Sequence, residues 1–437
     1  AACSVGITVQ VACHLLQPSP SQHAPVTPSN LPLLPTDAFT NPPFTAWGWA
    51  WLVGMAWAIS PLLWGQAVIT EVYALHALLV ALLGWAILVK GGQLVYLIPI
   101  VALGVAHHLT FLLLLPAALY YRWVQQDGSL GRLLQTSGVL ALGGLIGTFF
   151  YLRIPWAAGT LPPPPVNWGY ADNEAGFWWL ISGAAYRGYL FGAPSATMLG
   201  RIAGWAYTLT SQYSAVGLGL ALVGLSEWDR HQPRLRNFSL LWIVPVSIYS
   251  IGYYTRDSEI YLLPVGWLAA LWLAVGLPSA FAWMRDRWPQ RWLAALATGM
   301  LCVGLVSLLI MRWPTLSLRH DQEARRYLTE AIAVLEPNSL VISRADHDTF
   351  ALWYGAWADG ELLRQAPGTV LINDALYQFA WYHRLQADLH PAVAGGVNSV
   401  QELLARHRGR RPIFFTADLG LVPTDQLEAV GPLWRYR

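Results

Sequence analysis

Charged side chains are scarce in this chain, and a few stand where long apolar stretches meet. Glu71 lies in Gln66-Ala67-Val68-Ile69-Thr70-Glu71-Val72-Tyr73-Ala74-Leu75-His76, between the apolar runs Ala46–Trp64 and Ala74–Val89. An ionisable group so close to hydrocarbon is costly and marks a functional site by default. It could be a carboxylate at the mouth of an outward-facing cavity, acting on substrate or positioning a catalytic group. It could equally be an N-cap or interfacial charge in the first turn of a helix, favoured by the helix dipole. A second short run, Tyr254-Thr255-Arg256-Asp257-Ser258-Glu259-Ile260-Tyr261, places three charges in one turn. Arginine suits bidentate phosphate recognition, and Asp257 could orient it, so Arg256 is the residue chosen for an anionic lipid head group. The alternative is an Arg–Asp pair that merely caps the turn.

His107-His108 offers imidazoles that could bind phosphate, shuttle protons or ligate metal, or simply face water at the membrane boundary. The sequence adds no His/Asp cluster at ligand spacing, so no metal is expected. Asn167, Trp168, Asp172 and Glu174 could hold a sugar through hydrogen bonds and an aromatic face, or belong to a solvated loop. Asp346-His347-Asp348 follows a predicted strand, a place where α/β folds put ligands, although Asp348 reads better as the cap of the next helix. The sequence has no Gly-rich phosphate loop, nucleophile elbow or zinc-protease helix.

The elements that must position these residues are membrane helices. Of 437 residues, 55% are hydrophobic and only 11% charged, against about 25% charged in an ordinary soluble domain. Nine apolar segments approach the roughly 20 residues that span a bilayer: Ala46–Gln66, Tyr73–Val89, Leu94–Ala106, Leu109–Tyr121, Leu133–Leu152, Ile202–Leu225, Phe238–Tyr254, Ile260–Leu277 and Trp292–Met311. The fold expected is a mainly α-helical polytopic membrane protein with a small C-terminal α/β domain. A net charge of +2 names no partner, and there is no nucleic-acid patch. Cys3, Cys13 and Cys302 show neither metal spacing nor a disulfide framework.

Basic residues in the short loops set the orientation. Nine fall on one side (Lys90, Arg122, Arg132, Arg230, Arg234, Arg236, Arg285, Arg287, Arg291) and five on the other (Arg153, Arg187, Arg201, Arg256, Arg312). The side with nine is expected to be cytoplasmic, given a hairpin at His107-His108. Glu71, both histidines, the loop Arg153–Ser195, the turn Thr255–Glu259 and the C-terminal tail then share the outer face.

Three regions are expected: an irregular Pro-rich segment 1–45, a multi-span membrane domain 46–313 with an outer loop 153–199, and a soluble α/β domain 314–437. The chain begins without an initiator Met, and Ala1–Gln17 lacks the basic region of a signal peptide, so a fragment missing its true beginning is suspected. Pro162–Pro165 should make the loop's start rigid and extended. Phe177–Phe191 reads as a helix lying in the membrane interface. In the tail, helices are expected over Gln322–Leu335, Thr349–Trp357, Leu376–Leu389 and Val400–Arg406, and strands over Ser339–Ser343, Thr369–Ile372 and Pro412–Phe415, an alternation typical of α/β folds.

These motifs, taken together, resemble a bacterial family of multi-span proteins, long filed as a domain of unknown function. That family is related to eukaryotic membrane O-mannosyltransferases and belongs to the GT-C glycosyltransferase class. Trp64…Ala67…Glu71-Val72-Tyr73-Ala74-Leu75 is similar to its "W-x-x-A…E-V-Y-A-L" signature. Gly104…His108-Leu109-Thr110 resembles its "G-x-x-x-x-H-x-T" stretch and singles out His108 over His107. Asn167-Trp168-Gly169 resembles "N-W-G-D-P", with Tyr170 and Ala171 where Asp and Pro are usual. Asp257…Tyr261…Pro264 resembles "D-x-x-x-Y-x-x-P", and Asp346-His347-Asp348-Thr349-Phe350 the "G-D-N-D-T-F" start of its C-terminal domain.

The resemblance implies transfer of a sugar from a polyprenyl-phosphate donor to an acceptor on the outer side of a bacterial inner membrane, with the C-terminal domain extracytoplasmic and no cofactor. Glu71, Tyr73, His108, Asn167, Trp168, Arg256, Asp257 and Tyr261 are then the candidate substrate-binding residues, and Glu71 the candidate catalytic group. The family also carries an acidic motif and a His-Pro-Pro-Gly run before its Glu-Val-Tyr segment; only Asp37 precedes it here. Either the first loop has been lost or this copy is inactive. A lipid-linked sugar flippase would instead need polar groups near the bilayer midplane, and a non-catalytic membrane scaffold is the other alternative.

Overall fold

The computed structural model describes residues 1–17, 44–126 and 128–437. The chain divides into two compact units, Ala1–Tyr151 with Tyr186–Leu318, and Leu152–Ala185 with Arg319–Arg437.

The first unit is helical. It holds α1 (Ala2–Leu16), α2 (Ala46–Ala58), α3 (Pro61–Ala67), α4 (Tyr73–Leu88), α5 (Leu94–His107), α6 (Leu115–Gln125) and α7 (Leu130–Phe149). After α8 (Arg153–Ala158) and α9 (Glu174–Ile181), which belong to the second unit, it resumes with α10 (Met198–His231), α11 (Pro233–Gly252), α12 (Leu263–Arg287) and α13 (Arg291–Leu316). The centre is α12, where every residue from Leu263 to Pro278 is buried; a helix apolar all round must be enclosed. It crosses α10 at two glycines. A Cβ on Gly224 would sit 1.9 Å from the Trp272 carbonyl oxygen, and one on Gly276 1.9 Å from that of Leu220. Small residues let membrane helices approach this closely.

The N-terminal segment corrects the expectation of irregular structure over 1–45. Its start is a helix whose buried stripe includes Ser4, Thr8, Val11 and Leu15. The polar members of that stripe serve the core: Trp57 Nε1 donates to Ser4 Oγ (3.4 Å), Trp267 Nε1 to Thr8 Oγ1 (3.0 Å), and Ser4 Oγ to the Ala77 carbonyl (3.1 Å). Buried indoles need such partners. The Pro-rich part, residues 18–43, with Asp37, lies outside the described residues.

Nine spans are expected; among the described residues, four helical stretches are long and apolar enough to cross a membrane: Leu130–Ala158, Ser195–His231, Ser258–Arg287 and Arg291–Leu316. The pair α2 and α3, bent by 62°, makes a fifth if it counts as one span. For α4 and α5 the shortfall is one of length, whereas α11, at 20 residues, is long enough but not apolar enough. The 14 residues of α5 extend only ~21 Å at 1.5 Å per residue, against a hydrocarbon core of ~30 Å. The expected segment Leu109–Tyr121 is split into a 3-10 stretch, Leu109–Leu114, and α6.

The second unit is an α/β domain built on a five-stranded sheet. Its strands are β1 (Leu340–Ser343), β2 (Val370–Asn373), β3 (Ile413–Phe415), β4 (Leu427–Val430) and β5 (Leu433–Tyr436), in the order β2-β1-β3-β5-β4. β1 runs parallel to β2 and β3, while β5 is antiparallel to β3 and β4. The helices are α14 (Glu323–Val334), α15 (Asp346–Trp353), α16 (Glu361–Gln365), α17 (Ala380–Leu389), α18 (Pro391–Ala394) and α19 (Val400–His407). The three parallel strands are wholly buried, as sheets covered on both faces require.

Two expectations change here. The first part of the outer loop, residues 152–185, belongs with 319–437 rather than with the membrane domain. The interfacial helix expected over Phe177–Phe191 is also broken: α9 ends at Ile181, Gly183 turns the chain at φ +60°, and a 3-10 stretch follows over Ala184–Tyr189.

Candidate functional site

The turn that carries Arg256 is held by a different arginine. The end of α11 leaves carbonyls without helical partners, and Arg201 of α10 reaches them. Its Nε donates to the Ile251 carbonyl (2.5 Å), and its Nη2 to the carbonyls of Ser250 (3.0 Å) and Tyr253 (2.5 Å) and to Ser258 Oγ (2.8 Å). Ser250 Oγ closes the loop by donating to the Ser258 carbonyl at 2.7 Å. Arg256, on this pinned turn, is exposed and has no hydrogen bond or ion pair among the described residues. The expected pairing with Asp257, whether to orient the guanidinium or to cap the turn, is not formed. A cavity of about 330 Å³ opens beside it, lined by Arg201, Trp205, Thr208, Thr255, Arg256 and Glu259 among others. Thr255 Oγ1 is buried there without a partner.

The far end of the same turn enters a cluster of phenols and imidazoles. Tyr261 lies between Tyr73, at the start of α4, and Tyr249 and Tyr253, near the end of α11. Its ring centroid is 6.0, 4.9 and 5.4 Å from theirs. His108 sits 5.6 Å from Tyr73, 6.2 Å from Tyr261 and 5.3 Å from His76. The break that places it is its own extended backbone after α5 (φ −155°, ψ 122°).

Hydrogen bonds assign the histidine protons. Thr110 N–H donates to His108 Nδ1 at 3.3 Å, and Thr110 Oγ1 lies 2.7 Å from the same nitrogen. A nitrogen that accepts carries no proton, so neutral His108 holds its hydrogen on Nε2 and presents a donor there. His107 Nε2 donates to the Val72 carbonyl at 2.9 Å, and its ring stacks 6.3 Å from that of His76. No group of three His, Cys, Asp or Glu side chains able to hold a metal occurs among the described residues.

Glu71 is exposed just before α4. The cap position is Val72, without a side-chain cap, so the capping role considered for Glu71 is not seen. Its carboxylate makes no hydrogen bond or ion pair among the described residues, yet it lies within electrostatic reach of Tyr73, as does Asp257.

The structure thus brings Tyr73, His108 and Tyr261 together, with Glu71 and Asp257 nearby and Arg256 at the other end of the turn. Asn167 and Trp168 belong to the second unit. Asn167 is buried and donates to the Ala158 carbonyl at 3.1 Å, and Trp168 packs 5.9 Å from Trp381. Tyr170, which stands where the resembled family has Asp, donates to Asp388 Oδ2 at 2.8 Å, and burial first, then this bond, pushes its phenol up to about 12. Arg384 grips Asp172 with both Nη atoms (3.0 and 2.5 Å), donates to the Tyr170 carbonyl at 2.8 Å and lies 3.9 Å over the Tyr170 ring.

The expected cap by Asp348 is a further correction. The cap position of α15 is Ala345, with no side-chain cap; Asp346 and Asp348 fall inside the first turn, where they suit the helix dipole. His347 is exposed, with its Nε2 3.3 Å from Asp348 Oδ1.

Sequence reasoning passed over His76, Arg201, Tyr249 and Tyr253. His76 had a signal, since it stands three residues after Tyr73 and shares its helix face; Arg201 had none, because its partners are backbone carbonyls about fifty residues away.

The comparison with known families falls on this unit. No curated protein matches the chain. Residues 1–129, which include Glu71, Tyr73, His76 and His108 but not Arg256 or Tyr261, match the family model described as the protein O-mannosyl-transferase TMEM260 N-terminal domain, and this part of the chain is thereby related to protein O-mannosyltransferases.

Proposed function

We propose that the protein is a GT-C-type membrane glycosyltransferase that moves a sugar from a polyprenyl-phosphate-linked donor to an acceptor on the extracytoplasmic side of the membrane. The observation that carries this reading is the unpaired Arg256 on a rigid turn whose other end contacts His108 and Tyr73, residues inside the mannosyltransferase-like region. Arg256 meets the donor phosphate. His108 Nε2–H offers that phosphate a second donor. The acceptor oxygen bonds to the anomeric carbon as the bond from that carbon to the phosphate oxygen breaks, which inverts the carbon. The electron pair leaves on polyprenyl phosphate, where a preorganised cation stabilises it, and Glu71 is the candidate to take the acceptor's proton. In this proposal the C-terminal domain is extracytoplasmic.

The test is transfer of labelled mannose from polyprenyl-phosphate mannose by full-length enzyme. Arg256→Ala abolishes transfer while expression and melting temperature hold. Unchanged transfer refutes the assignment.

A further inference from the structure

A separate cavity, of about 560 Å³, lies among α2, α10, α12 and α13, within the ~300–1,000 Å³ of small-molecule sites. Its wall is apolar, with Leu52, Val216, Leu277, Phe281 and Leu305 among the lining residues. Its lining on α13 runs from Ala297 to Arg312, ~22 Å along a helix, so the space is long and parallel to the spans. Polar groups gather at one end, where Gln212, Ser214 and Arg312 meet.

That end is built. The backbone of α10 breaks at Ser214 (φ 64°, ψ 169°), which frees carbonyls of the preceding turn. Arg312 reaches two of them, its Nη2 donating to the carbonyls of Ser211 (2.5 Å) and Gln212 (3.1 Å), while its Nη1 donates to the Ile59 carbonyl at the end of α2 (2.7 Å). Carbonyl dipoles fix the guanidinium in place but carry no net charge to neutralise it. Meanwhile α13 has no buried residue at all. One flank lines the cavity and the rest faces outward, so the space lies next to hydrocarbon. Apolar cavities exclude water, and an empty one forfeits dispersion contacts along its whole wall.

We propose that this cavity is a lipid site, occupied by one acyl chain of an anionic phospholipid from the surrounding bilayer, with its phosphate beside Arg312. The chain fills the gap between α13 and the α10–α12 pair, and the head group balances the guanidinium charge. The site is lined by different residues from the Arg256 cavity and does not depend on the glycosyltransferase reading.

The experiment is native mass spectrometry of the full chain released from nanodiscs of mixed phosphatidylcholine and phosphatidylglycerol. The key variant is Gly304→Phe. Gly304 lines the cavity, and a Cβ there meets no atom within 4 Å, so the ring enters the open space. The wild type should retain one phosphatidylglycerol per chain. Gly304→Phe should lower that retention at least tenfold with no loss of melting temperature in lipid-free detergent. Arg312→Gln should shift the retained lipid toward the bath ratio; if that variant does not fold, Gly304→Phe decides alone. Equal retention by Gly304→Phe, no retained lipid in the wild type, or replacement of phospholipid by added undecaprenyl phosphate overturns the proposal.

Discussion

Arg384 and Arg256 carry the same charge in opposite circumstances. Arg384 donates to both oxygens of Asp172 and to the Tyr170 carbonyl, and stacks on the Tyr170 ring. Among the described residues Arg256 makes no hydrogen bond or ion pair, and the turn beneath it is secured by Arg201. The difference separates two jobs that sequence alone presents alike. A guanidinium neutralised by a carboxylate stabilises a fold. One without a charged partner, on a backbone fixed by other residues, is available to a ligand.

The largest expected effect tests the free arginine. Arg256→Ala should lower transfer about 100-fold or more, ~2.7 kcal/mol in the transition state, with the melting temperature unchanged; a large loss of stability would put Arg256 in the same class as Arg384. Arg384→Ala should do the reverse. It removes charge-assisted hydrogen bonds that are partly exposed, so the second unit should lose about 2 kcal/mol, read as weaker hydrogen-exchange protection over residues 168–181. Protection that survives this change would dissolve the contrast.

Tyr170→Phe sharpens the comparison from the other side, and should cost about 1 kcal/mol by deleting the bond to Asp388. It also predicts a pH dependence. The folded phenol titrates near 12 against about 10 in an unfolded chain. A raised value means the contribution is complete below about pH 10 and is lost as pH rises toward 12. Urea titrations in that window should show a shallower decline for Tyr170→Phe than for the wild type. The smallest effect concerns His108. Thr110→Val should free its ring and reduce transfer a few-fold, ~1 kcal/mol, while Thr110→Ser should restore it.

The apolar runs and the three parallel strands were legible because burial on all sides leaves runs of Val, Ile, Leu and Phe. The hairpin of β4 and β5 was not, since Glu428 and Arg435 sit within it and only half of its residues face a core; Gly431, at φ +58°, was its one signal. The helix α1 was hidden because Ser4 and Thr8 interrupt its apolar stripe, and their role as acceptors for Trp57 and Trp267 exists only in the folded core. At the site, Tyr73, His108 and Tyr261 could be picked out from motifs. Their meeting could not, because it depends on where α5 breaks and how α11 returns. The short spans illustrate the same limit: hydropathy marks α5 as apolar, but its length is set by the turn at His108.

The Arg384 clasp joins positions 212 residues apart, and that separation bears on synthesis. Residues 152–185 leave the ribosome well before their partners in 319–437, with residues 186–318 emerging in between. At ~5–20 residues per second this delay is roughly 7–27 s. Throughout it Tyr170, Trp168 and Trp179 have no sheet to lie against, so the nascent loop is the stretch most in need of a chaperone's cover while the helices that follow are laid into place.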